Sequence, residues 1–395
     1  MAARPRPERP YELVLFGATG FAGGLTAEHL TRHAPLDLRW AVAGRSQERL
    51  MTVADQLQGL APARPRVETL MADVRDIDSL RALAASTAVV ATTVGPFLTY
   101  GEPLVAACAA AGTDYLDITG EPEFVDTMWL RHHDEAVRSG ARLVHACGFD
   151  SIPYDLGTLF TVQQLPSDLP ISVECYVRAK AGISGGTYHS AVRAFGRARQ
   201  TAAVAKQRRD TEDRPTQRRV RATRARPKKV PGQDRWAVPL PTLDPVIVRR
   251  SARALPAYGP DFSYGHYAVV GSLPMVAAAG IAAVTVLVLA QLTATRRLLL
   301  RLKTAGEGPS EQQRAGAWFQ ARFVARAGDV VLVTEVSGGD PGYDETAVML
   351  GQSALCLARD ALPVTAGQVT SAHAMGQPLI ERLRVAGLTF RVVTD

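Results

Sequence analysis

ELVLFGATGFAGG, from Glu12 to Gly24, turns an apolar run into glycines spaced G-x-x-G-x-x-G, and a helix-like LTAEHLTRH follows from Leu25 to His33. Strand, tight turn and helix in that order open a nucleotide-binding α/β unit. A pyrophosphate needs backbone N–H groups at close range and a helix N-terminus facing it, and glycine alone lets the main chain turn and approach that closely. Gly17, Gly20 and Gly23, with Thr19 and Phe21 between them, form the expected phosphate-facing turn. A purely structural glycine turn is the rival reading. The position, after the first strand and before a helix, favours nucleotide binding.

The second apolar strand, LRWAVAG (Leu38 to Gly44), ends where an NAD enzyme presents Asp or Glu to the ribose 2′-hydroxyl. Here the chain reads Gly44, Arg45, Ser46. A guanidinium and a hydroxyl suit a 2′-phosphate, and no carboxylate repels it, so NADP(H) is the expected cofactor. A solvated arginine opening a surface helix is the plainer alternative. Further strands follow in VETLMADV (67–74), AVVATTVGPF (88–97), YLDITGE (115–121) and ARLVHACGFDSIP (141–153), with helical stretches between. Alternation of this kind means a doubly wound parallel sheet, whose ligand lies outside the carboxyl ends of the strands. Asp73 and Val74 are then expected beside the adenine, and Val94, Gly95, Pro96 and Phe97 near the nicotinamide. An ordinary Gly-Pro turn explains the last two equally simply.

The chain has 395 residues, 47% of them hydrophobic and 21% charged, which sets aside disorder throughout, collagen and coiled coil. Cys108, Cys147, Cys175 and Cys356 lie far apart, so neither a disulfide scaffold nor a metal site is indicated, and buried thiols in a reducing compartment fit them. The first ten residues, MAARPRPERP, lack an apolar core and read as a disordered lead without a secretory signal.

Five ordered blocks carry a resemblance: GATGFAG (17–23), AGR (43–45), VGPF with YGEPLVAAC (94–108), YLDITGE (115–121) and GFDSIPYDLG (148–157). Together they resemble the saccharopine dehydrogenase-like oxidoreductase family, and within it the bacterial trans-acting enoyl reductase branch. AHAMGQPLIERLRVAGLTF (372–390) resembles the family's last helix and strand, whereas TAGQVTS (365–371) departs from its glycine-rich pattern. The resemblance implies a Rossmann domain, a second, mixed α+β domain and a C-terminal return to the first. It also implies reductase chemistry on a lipid or polyketide chain, linked to glycolipid synthesis and membranes. The expected division is a lead at 1–10, an NADP-binding domain at 11–155, a substrate domain at 156–350 and a returning segment at 351–395.

Reduction of a conjugated C=C needs a hydride donor, a polar group holding the carbonyl and a proton source. Candidates after strand ends are Tyr100, Asp117, Glu121, Asp150, Ser151, Tyr154 and Asp155; Lys180, Tyr188 and His189 come from VRAKAGISGGTYHSAV (177–192). Tyr100, Lys180 and His189 are the catalytic candidates. Helix capping competes for Asp150, Ser151 and Asp155, and a satisfied interface role competes for His189.

Two segments bear on partners. The formal charge of +7 is concentrated in a basic stretch at 193–230, expected as a mobile loop. It has no interleaved aromatics and contains Pro215 and Pro227, which argues against nucleic acid. A solvated insertion, attraction to anionic lipid headgroups and docking of an acidic carrier protein all fit it. No charge occurs between Tyr267 and Thr295, and MVAAAGIAAVTVLVLAQLTA (275–294), followed by Arg296, Arg297, Arg301 and Lys303, is long enough to span a bilayer. Membrane-surface insertion, burial over an acyl pocket or in a homo-oligomer, and a true span are the three readings. The expected function is an NADPH-dependent enoyl reductase acting on a lipid or polyketide intermediate, free or carrier-bound, at the cytoplasmic face of the plasma membrane, with the cytoplasm as the alternative. Saccharopine-type C–N oxidoreduction and a non-catalytic NADP-binding scaffold are its rivals.

Overall fold

The computed structural model describes residues 8–181, 196–213, 218–272 and 309–394, and between 273 and 308 only 274–277, 280, 285–286, 289–290 and 295. His189 and Tyr188 lie outside the described residues, as does most of the apolar stretch 275–294.

The chain forms two units. The first comprises residues 1–119, 124–149 and 342–386, and the second 120–123, 150–341 and 387–395. The first unit runs β1 (Tyr11–Phe16), α1 (Phe21–His33), β2 (Trp40–Gly44), α2 (Gln47–Leu60), β3 (Glu68–Met71), α3 (Ile77–Ser86), β4 (Thr87–Thr92), α4 (Phe97–Tyr100), α5 (Glu102–Ala111), β5 (Asp114–Asp117), α6 (Pro122–Ser139) and β6 (Arg142–Val144). Its strands are ordered β3-β2-β1-β4-β5-β6, every pairing parallel, and a late strand extends the sheet beside β6. That is the doubly wound dinucleotide-binding order. Leu13, Val14 and Leu15 of β1 and Val89, Val90 and Ala91 of β4 are fully buried. A parallel sheet covered on both faces requires such continuous apolar strands.

The second unit opens with α7 (Ile152–Val162) and continues through β7 (Ile171–Lys180), a helix at Ala198–Thr211, β8 (Arg219–Ala222), β9 (Lys228–Lys229), β10 (Trp236–Pro239), a helix at Asp244–Ala254, β11 (Asp261–Val270), β12 (Trp318–Ala327) and β13 (Val330–Gly338). The chain then returns to the first unit with the helix Asp344–Arg359, β14 (Gly367–Val369) and the helix Gly376–Val385, and ends in β15 (Thr389–Val392). Among the described residues the second sheet has eight strands in the order β15-β13-β12-β7-β11-β10-β9, with β8 pairing β11. It is mixed: β7–β11 and β8–β11 are parallel, and β7–β12 and β12–β13 antiparallel.

Two sequence readings are corrected. The return to the first unit begins at 342 and stops at Ala386, because β15 pairs antiparallel with β13 in the second sheet. The basic stretch is no featureless loop: among the described residues it holds a helix and two strands, and several of its charges are matched. Arg197 pairs with Glu123, Lys206 with Asp210, Arg208 with Glu212 and Arg221 with Asp261. Lys228 pairs with Glu174, its ammonium 4.4 Å from the centre of the Tyr267 ring. The charge-free run from Tyr267 begins inside β11, where Tyr267 is buried. Among the described residues no helix is long and apolar enough to cross a membrane.

Candidate dinucleotide site and a buried carboxyl pair

The turn after β1 is shaped by what its glycines exclude. Gly17 has φ +100°, and a Cβ there would lie 2.7 Å from Val94 Cγ2 and 2.8 Å from Thr93 Oγ1. A Cβ on Gly23 would meet the Gly17 carbonyl oxygen at 2.1 Å, so Gly23 lets α1 pack against its own turn. Gly20 differs. It is exposed, and a Cβ there would meet only the Gly17 oxygen, at 3.4 Å. The protein does not need the missing side chain at Gly20; a phosphate approaching the backbone does. Gly20 also precedes α1, whose N-terminus has no side-chain cap and no acid in its first turn. Its N–H groups, without a side-chain cap, and the positive end of the helix dipole fit a pyrophosphate.

Thr93 joins this site though the sequence reading passed over it. Its N–H donates to the Phe16 carbonyl and its hydroxyl to the Gly17 carbonyl at 3.2 Å, tying the turn after β1 to the segment after β4. Its signal was its place directly after a buried strand. Val94, Gly95 and Pro96 follow at the carboxyl end of β4, but Phe97 turns inward and packs on Phe124, with ring centroids 5.8 Å apart. Phe21 is likewise engaged, edge-on to Tyr343 at 4.8 Å.

At the end of β2, Arg45 is exposed and has no hydrogen-bond or ion-pair partner among the described residues. Ser46 caps α2 by accepting from the Arg49 N–H. Arg49, also missed in the sequence, donates to the Thr19 carbonyl at 2.9 Å and so steadies the glycine turn. Asp73 follows β3 as expected, but one of its carboxylate oxygens accepts the Arg75 N–H at 2.9 Å and shapes its own loop; Val74 packs against the apolar core. Tyr100 ends α4, half-buried. A cavity of about 350 Å³ lies at the opposite, amino-terminal edge, lined by Tyr11, Trp40, Arg64 and Glu68, and by the strand-end rule it is not the dinucleotide crevice.

Asp117 is fully buried and saturated. It accepts the N–H groups of Thr119 and Ala146, at 3.0 and 2.9 Å, and bonds His145 Nδ1 at 2.6 Å. Such a carboxyl holds loops in place.

The second unit contains carboxyls of another kind. Ser151 sits at the N-cap position of α7 but makes no cap; its hydroxyl donates instead to Asp244 Oδ1 at 3.4 Å, which corrects the capping reading. Its backbone, φ 154° and ψ −34°, is one a side chain rarely tolerates. Asp244 is 3% exposed and also accepts the Thr242 hydroxyl. His266 Nε2 lies 3.7 Å from Asp244, but burial pulls the imidazole down to about 3, so the approach is not an ion pair at neutral pH. Burial pushes both Asp150 and Asp244 above the usual carboxylate range, and the charge of Asp150 raises Asp244 further. Asp155, by contrast, accepts from Ser251. Lys180 ends β7, exposed, in register with Trp318.

A parallel sheet ordered 3-2-1-4-5-6, an uncapped helix behind an open glycine and a cationic end to β2 define a dinucleotide-binding oxidoreductase. Residues 13–144 match the family model described as the saccharopine dehydrogenase NADP binding domain. Along 99% of both chains the protein is 37% identical to a Mycobacterium tuberculosis protein named "Putative trans-acting enoyl reductase Rv2449c". It is 30% identical to the rat saccharopine dehydrogenase-like oxidoreductase, over 98% of each. The fold is similar to that of apo saccharopine dehydrogenase (L-Glu forming) from Saccharomyces cerevisiae, with a TM-score of 0.57 and 13% identity, over 97% of this chain and 99% of that one. The chain belongs to the saccharopine dehydrogenase-like oxidoreductase family. It is an NADP-dependent oxidoreductase.

Proposed function

We propose that this oxidoreductase is a trans-acting enoyl reductase that saturates the conjugated C=C of a lipid or polyketide intermediate with NADPH. The observation that carries the reading is the end-to-end similarity to the mycobacterial relative of that name. The charge-free run from 275 to 294 supports an apolar substrate. When bound, NADPH supplies the hydride. Gly20 and the uncapped N-terminus of α1 hold its pyrophosphate, and Arg45, free of a carboxylate neighbour, takes the 2′-phosphate. Val94 to Pro96 flank the nicotinamide, and Tyr100 and Lys180 are candidates to hold the substrate carbonyl. The same apolar run and the cations after it support association with the cytoplasmic face of a membrane.

C–N oxidoreduction of an amino-dicarboxylate is the second reading, and one feature favours it. Arg249 is partly buried, its guanidinium is lowered by that burial, and no carboxylate pairs with it among the described residues. A non-catalytic NADP-binding scaffold is the third.

Titration of the purified protein with NADPH and NADH, followed by NADPH absorbance after adding α,β-unsaturated acyl thioesters, separates them. NADPH-selective binding with oxidation supports the enoyl reductase. Oxidation only with an imine-forming amino acid and keto acid supports C–N chemistry, and binding without any oxidation leaves the scaffold.

A further inference from the structure

The mixed sheet of the second unit has two unlike faces. On one, α7 packs so closely that a Cβ on Gly157 would stand 2.5 Å from the Phe323 ring and 2.9 Å from Val336, and Thr161 bonds Thr334. Side chains alternate along a strand, so Arg322 and Glu335, the sequence neighbours of these residues, belong to the other face. The strand register runs one row across that face: Arg391 opposite Glu335, Glu335 opposite Arg322, Arg322 opposite Tyr176, and Tyr176 opposite Tyr267. The rings of Tyr176 and Tyr267 stack at 5.5 Å, as side chains on a common face can. The next row sets Gln320 opposite Arg178, and the row beyond it Trp318 opposite Lys180.

The carboxylates of this face are taken and two of its guanidinium groups are not. Arg391 donates to one oxygen of Glu335 at 2.8 Å and Gln320 to the other at 2.7 Å. Glu174 is held by Lys228 and by the Tyr176 hydroxyl. Arg322, set between Glu335 and Tyr176, makes no hydrogen bond or ion pair among the described residues, and its Nε is buried without a partner. Arg178 is its diagonal neighbour across β7 and β12, roughly 7 Å away at Cβ. The Arg178 guanidinium lies 5.5 Å over the exposed Trp318 ring and donates to the neutral Gln320 at 3.5 Å, with no carboxylate partner among the described residues. An enclosed donor left unbonded costs stability, and a second cation beside it adds repulsion. An oxyanion removes both costs at once, because each guanidinium fork matches two oxygens. Both heads are also held before it arrives, Arg178 by its aromatic platform and Arg322 by the enclosure of Nε, which lowers the ordering cost of binding.

We propose that Arg322 and Arg178 form an oxyanion site on this face of the second sheet and that its ligand is a phosphate group. Phosphate fits better than a carboxylate because two forks offer more donors and more charge than one carboxylate uses. Lys180, also without a carboxylate partner among the described residues, adds to the positive field from the neighbouring row. Two sources carry this chemistry, a soluble phosphate or its ester and the headgroup of an anionic lipid. The site lies within the second unit and uses neither the dinucleotide nor the reaction, so it stands apart from the reductase reading.

The test titrates the full-length protein with inorganic phosphate at constant ionic strength and follows tryptophan emission, with Trp318→Phe assigning the response to this face. The parent should respond saturably, and Arg322→Gln and Arg178→Gln should each raise the midpoint by about tenfold or more, the scale of one lost charge-assisted bond. Arg322→Lys, which keeps the charge and most of the stem, should retain part of the affinity and so separates lost binding from a lost fold. Cosedimentation with phosphatidylglycerol and phosphatidylcholine vesicles distinguishes the sources: capture by the former alone, lost in Arg322→Gln, assigns the lipid headgroup, and a phosphate response without capture assigns the soluble ligand. Equal midpoints in the parent and Arg322→Gln overturn the site, as does the absence of both a saturable response and vesicle capture. Two further results would also overturn it. A lower melting temperature of Arg322→Gln in phosphate-free buffer makes the arginine structural, and a change of sedimenting mass gives the face to a second copy of the chain.

Discussion

Asp117 and Asp244 are both almost wholly buried, yet their surroundings are opposite. Asp117 is ringed by donors, two backbone N–H groups and an imidazole, whereas Asp244 accepts the hydroxyls of Ser151 and Thr242, lies 3.7 Å from a neutral histidine, and is pushed above the usual carboxylate range by burial. Burial alone does not sort a structural carboxyl from a chemical one; the supply of donors does. The same division runs through the cofactor turn. Gly23 is required by the Gly17 carbonyl and Arg49 is spent on the Thr19 carbonyl, while Gly20 and Arg45 face nothing in the protein that needs them. Groups satisfied from within hold the fold. Those left open are the ones a ligand would complete.

The largest effect should come from the satisfied side. Asp117→Ala strands two N–H groups and the His145 ring, and should cost about 3–5 kcal/mol of unfolding free energy, read by denaturant titration. A loss under 1 kcal/mol would mean that water replaces the carboxylate and would erase the contrast. Arg45→Asp exchanges a phosphate partner for a repelling charge. NADPH affinity should fall by roughly a hundredfold, from the loss of about 2–3 kcal/mol of charge-assisted bonding, with NADH affinity nearly unchanged. Equal losses for both cofactors would remove Arg45 from the site.

The two glycines sharpen the comparison next. Gly23→Ala should lower stability by about 1–3 kcal/mol through overpacking against the Gly17 carbonyl. Gly20→Ala should leave the melting temperature in place and weaken NADPH binding, as followed by fluorescence titration. If both variants lose stability alike, Gly20 is a structural glycine after all.

The smallest effect is a pH dependence. The two carboxyls of the second unit bind a proton in the folded protein that the unfolded chain, with ordinary values near 3.8, has released. Their contribution therefore favours folding at low pH and is lost as pH rises from about 4 to about 7, levelling off above that. Asp244→Asn should remove its share of this slope, leaving that of Asp150, and gain stability relative to the parent at pH 8 compared with pH 5, measured by thermal melts across that range. An unchanged slope would assign it to other groups.

How much was legible follows from the same physics. The first sheet was readable because its central strands β1, β2 and β4 carry buried apolar runs and the turn after β1 demands glycine at fixed positions, both local properties of the chain. The basic stretch misled because charge composition says nothing about pairing: Arg221 finds Asp261 and Lys228 finds Glu174 only once the second sheet has formed. Thr93 and Arg49 were missed because their partners, the carbonyls of Gly17 and Thr19, are backbone atoms that no residue pattern advertises.

By itself the sequence determined the order of the parallel strands' building blocks, the glycine turn, the cationic end of β2 and hence the preference for a phosphorylated dinucleotide. Tertiary structure alone decided that β15 joins the second sheet, that Ser151 turns from capping α7 to Asp244, and that Asp244 is buried beside His266. The physical reason is range. Turns and strand patterns are set by neighbours within a few residues, whereas the protonation of a carboxyl is set by whichever charges and donors folding brings within a few ångströms.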